Sequence, residues 1–396
     1  MDKPQRMPPI EKEQITVGYM RLSDSAPLIM AREAGFFADV GLDVQLQREV
    51  SWANIRDRLV MGDLDAAQML APLPMMTSYG AGGIRANLLT GLSLSLNGNA
   101  ITLSNQIYRD SGISAGITAE HSLQAARKLN SYIAQRNSEQ TLTFATVHLF
   151  STHTFLLRAW LRAAGIDPDR DVRILVLPPE QMCDSLARGI IDGYCAGEPW
   201  NTLAVLQGIG CVASSGYSIW NNAPEKVLSV TDRWHNANPG THTRLRLALM
   251  RACHALTVPE FRMRAAEIMS STEYLDLPLK YLQPSLSGDY SFRKGDATQR
   301  IENFHLFWDY QACFPWRSHA ERLIKLSAET MGKTFAQDMT SSLVQQCYRT
   351  DLYRSAARLM EVASPSKDNK PDDSHESDWE FESGIILGAD RLLGEH

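Results

Sequence analysis

Four residues of this 396-residue chain carry side chains that could hold a small anion. They stand at predicted helix starts or strand ends, and they are Trp52, Asn99, His153 and Lys226. Each has an ordinary explanation alone, as a core aromatic, a hairpin turn, a polar helix start or a solvated charge. Together, an ammonium supplies charge, an imidazole and an amide supply N–H donors, and an indole covers a flat face. The set predicts a site for a planar monovalent anion.

The elements that must position these residues alternate between strands and helices. Strands are predicted at 15–19, 42–46, 65–70, 142–147 and 172–177, and helices at 25–37, from 51, from 72, at 152–164 and after 178–179. Such alternation predicts mainly parallel sheets covered on both faces. Ligands of open α/β sheets lie at the carboxyl ends of strands, where helix N-termini point their N–H groups. We therefore predict a ligand cleft between α/β units.

The predicted fold class is α/β, with two lobes around the cleft and a helical C-terminal part. Lobe 1 is predicted to be discontinuous, at 14–105 and 232–362, with lobe 2 at 106–231. The later helices are predicted at 244–256, 261–269, 320–331 and 352–362.

The two ends of the chain are polar. Residues 1–13 are predicted to be a disordered lead-in, and residues 363–396 an acidic linker followed by a C-terminal tail. Because apolar residues reappear after the linker, the tail is either a docking segment or a strand that returns to the body. The sequence leaves both alternatives open.

The composition narrows the class of protein. A formal net charge of −6 argues against a general binder of nucleic acids or anionic membranes, since both require a basic face. No apolar run approaches the ~18–20 residues of a membrane span, and the Pro-rich start lacks the pattern of an export signal. The six cysteines never form C-x-x-C, which favours buried free thiols in a reducing compartment. We therefore expect a cytoplasmic protein.

Eight short motifs occur in order along residues 14–360. They are D-S-A-P-L-I-M-A-R-E-A-G-F-F at 24–37, S-W at 51–52 with R-D at 56–57, P-L-P-M at 72–75, L-N-G-N-A-I at 96–101, T-H at 152–153, P-P-E-Q-M at 178–182, G-E-P-W-N at 197–201 and P-E-K at 224–226. In this order and spacing they resemble the nitrate-binding components of bacterial ABC importers, a branch of the type II periplasmic-binding-protein superfamily. The resemblance implies a binding protein with two α/β lobes.

The resemblance also implies roles for the four residues. Trp52, His153 and Lys226 match the nitrate-contacting aromatic, histidine and lysine of that family, whereas Asn99 stands where the family usually has Gln. Bicarbonate-binding relatives carry an acidic residue in place of Lys226 and use a metal cation. The ligand implied is therefore nitrate or nitrite, without metal or cofactor. A donor-only pocket agrees, because it would leave the O–H of bicarbonate unpaired at a cost of ~1–3 kcal/mol.

Five further residues are expected to support these contacts. They are Ser51, Arg56, Thr152, Gly197 and Glu198. No G-x-S-x-G, H-E-x-x-H or P-loop pattern is present, so no catalytic residue is predicted and the protein is expected not to be an enzyme.

The absent export pattern makes the chain similar to the cytoplasmic nitrate/nitrite sensors of the NasS family. That resemblance implies a partner, a NasT-like ANTAR antiterminator that binds RNA and is held until nitrate or nitrite releases it. It implies no direct contact of this chain with nucleic acid or membrane. The acidic character of the chain is compatible with a basic partner.

Two alternatives share the fold. One is the substrate-binding component of a nitrate ABC transporter, acting from the cytoplasmic face. The other is an enzyme similar to pyrimidine-synthesising proteins, which carry a Cys-rich cluster and react a pyridoxal cofactor with their own histidine. Here Cys195 stands alone in 194–197, which argues against the enzyme.

Overall fold

The computed structural model describes residues 6–136, 141–371 and 375–394, and every structural statement below concerns these ranges. The strands are β1 (Gln14–Met20), β2 (Asp43–Glu49), β3 (Ala66–Leu70), β4 (Leu88–Asn97), β5 (Asn99–Ser104), β6 (Thr143–Thr146), β7 (Arg173–Val176), β8 (Gly193–Gly197), β9 (Gly210–Ser215), β10 (Pro224–Thr231), β11 (Asp289–Tyr290), β12 (Gln299–Arg300), β13 (His305–Leu306), β14 (Trp379–Glu382) and β15 (Ile385–Leu387). All five strands predicted from the sequence are among them.

Helices cover the sheets. They are α1 (Ala26–Glu33), α2 (Phe36–Asp39), α3 (Trp52–Met61), α4 (Leu73–Tyr79), α5 (Asn105–Asp110), α6 (Ala119–Gln135), α7 (Thr152–Ala163), α8 (Met182–Ala187), α9 (Trp200–Gln207), α10 (Gly216–Ile219), α11 (Asp232–Ala237), α12 (Pro239–Ala255), α13 (Pro259–Met269), α14 (Leu279–Ser287), α15 (Arg317–Thr330), α16 (Gln337–Cys347) and α17 (Thr350–Met360). Short 3-10 turns lie at Ser23–Ser25, Pro179–Gln181 and Asp309–Gln311. In the described ranges, no helix combines the length and apolarity needed to cross a bilayer.

Two sheets frame the molecule, which confirms the prediction of a two-lobed α/β fold. The sheet of lobe 1 has six strands in the order β13-β4-β10-β3-β1-β2, and that of lobe 2 has five in the order β7-β6-β8-β5-β9. Strand β1 runs parallel to β2 and β3, and β6 runs parallel to β7 and β8. Strand β10 is antiparallel to β3 and β4, and β5 is antiparallel to β8 and β9. The sheets are thus mixed, not mainly parallel.

The antiparallel strands are those by which the chain crosses between lobes, and they shift the predicted boundaries. The chain leaves lobe 1 at Gly98, so β5 belongs to lobe 2 although a boundary was predicted at 105–106. It returns before β10, which belongs to lobe 1 although the second boundary was predicted at 231–232. Because β4 and β5 lie in different sheets, the segment at Gly98 is not a hairpin turn.

Gly98 is the residue that the first crossover requires. Its φ is 87°, a left-handed backbone conformation that residues other than glycine rarely adopt. A Cβ atom there would also lie 2.0 Å from Cε1 of His305 in β13. The crossover therefore tolerates no side chain at this position.

The N-terminal lead-in is packed against the body, contrary to the prediction of disorder over 1–13. The carboxylate of Glu11 accepts hydrogen bonds from the backbone N–H groups of Gly240 and Thr241, at the start of α12. Nζ of Lys12 lies 2.7 Å from Oδ1 of Asp65. These contacts hold residues 11 and 12 in place, while residues 1–5 lie outside the described ranges.

The C-terminal tail returns to the body. The guanidinium of Arg354 donates to the carboxylate of Asp368 at 2.7 Å, so this part of the predicted linker is ordered by α17. Strands β14 and β15 pair with each other, and the N–H of Leu393 donates to the carbonyl of Ile219 at 2.7 Å. Of the two alternatives left by the sequence, the structure shows the returning segment, and residues 372–374 lie outside the described part.

Each face of the lobe 1 sheet packs on a different core. On one face, Val17 and Leu228 pack with Leu245 and Leu249 of α12. On the other, Trp52 belongs to a core that continues into lobe 2. This second core therefore joins the lobe 1 sheet to lobe 2.

Candidate functional site

The candidate site lies between the two sheets, where helix starts from both lobes face the crossover strands. Trp52 is the first residue of α3, whose N-cap Ser51 accepts a hydrogen bond from the N–H of Asn54 at 3.1 Å. His153 is in the first turn of α7, whose N-cap Ser151 accepts from Thr154 in the same way. A serine cap stabilises each start, so both side chains are held at an N-terminus.

The structure brings the four predicted residues together. Nζ of Lys226 lies 5.3 Å from the ring centroid of Trp52, over its face. Asn99 and His153 approach the same point from β5 and α7. All four side chains are at most 1% exposed. The site is therefore enclosed, and lobe 1 and lobe 2 each supply two of its residues.

A fifth residue, Glu225, occupies the centre of this group. Its Oε2 accepts a hydrogen bond from Nδ2 of Asn99 at 2.7 Å. Its Oε1 lies 2.5 Å from Nζ of Lys226 and 3.5 Å from Nε2 of His153. The expectation of a donor-only pocket is therefore wrong, because a carboxylate acceptor stands among the donors.

Sequence reasoning missed Glu225 although it precedes Lys226 directly. In a regular strand, neighbouring side chains point to opposite faces, so only one of the two would reach the site. The register of β10 against β4 shifts on both sides of Lys226. Such an irregularity places consecutive side chains on the same face. The pairing of strands from distant parts of the chain creates this bulge, and no local signal marks it.

Asp24 is the second carboxylate that the sequence analysis did not assign. Its Oδ2 lies 2.8 Å from Nζ of Lys226, and its Oδ1 accepts from Nε2 of Gln68 at 2.7 Å. Burial raises the pKa of Asp24, and the charge of Lys226 opposes that shift. Burial alone would lower the pKa of Lys226, but Asp24 and Glu225 outweigh it and the pKa is raised. Lys226 is therefore a charged ammonium between two carboxyl groups.

His153 is neutral in this setting. Burial, and after it the charge of Lys226, lowers the pKa of His153 well below its ordinary value. Within the described part of the chain, neither ring nitrogen has a hydrogen-bond partner, and the same holds for Nε1 of Trp52 and Oδ1 of Asn99. A neutral imidazole and an indole each keep one N–H donor. These buried donors remain available to a ligand.

Three of the five expected supporting residues lie next to the four predicted site residues. Gly197 lines the site, since a Cβ there would lie 3.5 Å from Oδ1 of Asn99 and 3.6 Å from Nε2 of His153. Thr152 donates through Oγ1 to the carbonyl of Pro224 at 2.6 Å, which joins α7 to the start of β10. Ser51 acts through the start of α3 as its cap.

The other two lie elsewhere in the interface between the lobes. Arg56 pairs with Asp57, and its charge, after burial, contributes to lowering the pKa of His148 in lobe 2 to about 4. The carboxylate of Glu198 accepts hydrogen bonds from Tyr290 and from the N–H of Thr202. Within the described ranges, neither side chain forms a hydrogen bond or ion pair with Trp52, Asn99, His153 or Lys226.

Contacts across the cleft hold the lobes in a closed arrangement. The N–H of Ser23 in lobe 1 donates to the carbonyl of Glu198 in lobe 2 at 2.8 Å. Nη1 of Arg21 donates to Oε2 of Glu180 at 2.9 Å. Because the site is buried under these contacts, a ligand reaches it only when the lobes move apart, the hinge motion typical of two-lobed binding proteins.

The described groups of the site form neither a metal cluster nor an activated nucleophile. Among the described residues, no cluster of three or more His, Cys, Asp or Glu is placed to hold a metal ion. Burial, and then the charge of Glu225, raises the pKa of the Cys195 thiol well above its ordinary value. A protonated, buried thiol is unreactive.

Comparisons with known proteins agree with this architecture. The model of the NMT1-like family matches residues 8–270. The "Nitrate/nitrite binding protein NrtA" of Synechocystis sp. is 30% identical over 90% of this chain and 78% of its own length. The "Bicarbonate transport ATP-binding protein CmpC" of the same organism is 37% identical over 88% of this chain and 50% of its own length. The chain thus spans about half the length of the ATP-binding relatives it matches.

A solved structure extends the likeness to nearly the whole chain. The crystal structure of the periplasmic nitrate-binding protein NrtA from Synechocystis PCC 6803 superposes with a TM-score of 0.83 and 27% identity, covering 97% of both chains.

Proposed function

Since the chain belongs to the NMT1-like family, we propose that it is a non-enzymatic binding protein for nitrate or nitrite. The contacts of Glu225 carry this proposal. A carboxylate is a small, planar, monovalent anion, and here donors from Asn99 and Lys226 already converge on one, with His153 beside it. Nitrate is likewise planar and monovalent, and it accepts hydrogen bonds through all three of its oxygens. The name of the NrtA relative supports the choice of ligand.

Calorimetric titration of the purified chain with nitrate, nitrite, bicarbonate and chloride tests the proposal. We expect binding of nitrate or nitrite and loss of binding in Lys226→Glu, because a third carboxylate would then stand beside Asp24 and Glu225. Lys226→Gln removes the charge without that repulsion and should weaken binding by at least about tenfold, the contribution of one charged hydrogen bond. Lys294→Glu, a charge reversal on the surface, is the matched control. Unchanged nitrate affinity in both Lys226 variants would contradict the site.

We propose further that the chain acts in the cytoplasm as a sensor. In the ligand-free form it would hold a NasT-like ANTAR antiterminator, and nitrate or nitrite would release that partner. Two observations support this proposal. All six cysteines are free and buried in the described chain, which suits a reducing compartment. The net charge of −6 suits a basic partner.

The second candidate is a component of a nitrate transporter, and the names of the ATP-binding relatives favour it. The two roles share the pocket and differ in the partner. Capture from nitrate-free cells, followed by mass spectrometry, separates them. An antiterminator that leaves the complex on nitrate titration, seen by size-exclusion chromatography, supports the sensor. Recovery of ABC transporter subunits instead supports the transporter component.

A further inference from the structure

Glu225 holds two of the donors that a bound nitrate ion would need. Its two oxygens contact Nδ2 of Asn99 at 2.7 Å and Nζ of Lys226 at 2.5 Å. The side chain is 1% exposed and is enclosed by both lobes. Nitrate therefore meets a carboxylate in the middle of its own site. The two anions would repel each other while they compete for the same two donors.

The charges of the site make this conflict explicit. Lys226 contributes one positive charge, and Asp24 and Glu225 contribute one negative charge each when ionised, which sums to −1. Nitrate would bring the enclosed group to −2. A buried group of like charges is strongly unfavourable, and one of its members then binds a proton.

We propose that each nitrate ion enters this site together with one proton, which Glu225 binds. This inference rests on the proposed nitrate function. The carboxylate takes up H⁺ from solvent, no covalent bond of nitrate changes, and the new carboxyl O–H donates to a nitrate oxygen. The net charge of the site stays at −1, as it is without ligand. Glu225 thereby changes from a competitor of the anion into one of its donors.

Three other titratable groups near this site do not take the proton. His153 in α7 and His305 in β13 have pKa values lowered by burial, the latter to about 3, so both stay neutral. Burial raises the pKa of Cys195 in β8, which stays protonated. Asp24, whose pKa is raised by burial, is the competing acceptor, but its oxygens contact Lys226 and Gln68, both in lobe 1. Glu225 is the carboxylate that also contacts a donor from lobe 2, the amide of Asn99.

Nitrate titration in two buffers of different ionisation enthalpy measures the proton directly. For the native chain we expect uptake of about one proton per nitrate, with affinity falling about tenfold for each unit of rising pH while Glu225 is ionised in the free protein. Glu225→Gln keeps the shape and is neutral at every pH. It should bind nitrate with no proton uptake and with an affinity that does not depend on pH.

Glu49→Gln is the matched control. Glu49 is also buried in lobe 1 and pairs with Arg58, but it does not contact the donors of the site. This variant should keep the proton uptake of the native chain. Nitrate binding without proton uptake in the native chain would overturn the inference, as would uptake that persists in Glu225→Gln. If neither protein bound nitrate at any pH, the proposed function itself would fail, and this inference with it.

Discussion

Two fully buried cations, Lys226 and Arg246, lie in very different surroundings. Lys226, between the lobes, has two carboxylates within 2.8 Å. Arg246, in α12, donates from Nη2 to the hydroxyl of Thr243, while Nε and Nη1 have no hydrogen-bond partner in the described chain. Both side chains are 0% exposed. Burial is the same in the two places, and only the partners differ.

The pKa values follow the partners. That of Lys226 is raised despite burial, whereas burial lowers the pKa of Arg246 to about 9. Two histidines, His235 and His242, lie beside Arg246 with their Nδ1 atoms 3.0 Å apart, and burial lowers the pKa of each. Two carboxylates thus keep a buried charge stable at the candidate site, whereas Arg246, beside two histidines of lowered pKa, carries its charge at a cost in stability.

The largest expected effect is at Lys226. Replacement of Lys226 by Met leaves Asp24 and Glu225 buried without their shared cation, and should lower the free energy of unfolding by about 3–5 kcal/mol. Urea denaturation monitored by tryptophan fluorescence measures it. The double variant Lys226→Met, Glu225→Gln should recover part of the loss, because it removes one of the two carboxylate charges. A loss below about 1 kcal/mol would mean that these carboxyl groups are protonated or hydrated in solution.

At Arg246 we expect the free energy of unfolding to change in the opposite direction. Arg246→Met keeps most of the buried volume and removes donors without partners, so the free energy of unfolding should stay constant or rise by about 1–2 kcal/mol. Arg158→Met is the control, since Arg158 is a buried guanidinium that does have a carboxylate partner, Asp169, and this variant should lose stability. If Arg246→Met lost as much as the control, then the guanidinium would be satisfied by groups such as ordered water.

The smallest effect concerns the pH dependence of stability. The folded chain keeps His242 neutral, whereas the unfolded chain protonates it below about pH 6.5. The unfolded state then binds more protons, so stability falls as pH falls below that value, by up to about 1.4 kcal/mol per pH unit for this histidine. His242→Asn should make the fall between pH 6.5 and 5 shallower in urea titrations. The exposed control, His254→Asn, should leave the slope unchanged, and an unaltered slope in His242→Asn would refute the argument.

Local sequence patterns determined most of the secondary structure of this protein. Alternation of strands and helices, serine caps at residues 51 and 151, and apolar helix faces all act over a few residues. They were therefore readable in the chain, as was the grouping of Trp52, His153 and Lys226 through motifs at strand ends and helix starts.

Only the tertiary structure decided the features that depend on strand pairing and on packing between distant segments. The lobe boundaries follow from which sheet β5 and β10 join, and the order of residues 11–12 from hydrogen bonds to the start of α12. The decisive case is Glu225. The irregular register of β10 against β4 turns this side chain toward Asn99 and Lys226, and places an acceptor in a pocket predicted to hold donors alone. Register is a long-range property, so the residues around Glu225 could not reveal it.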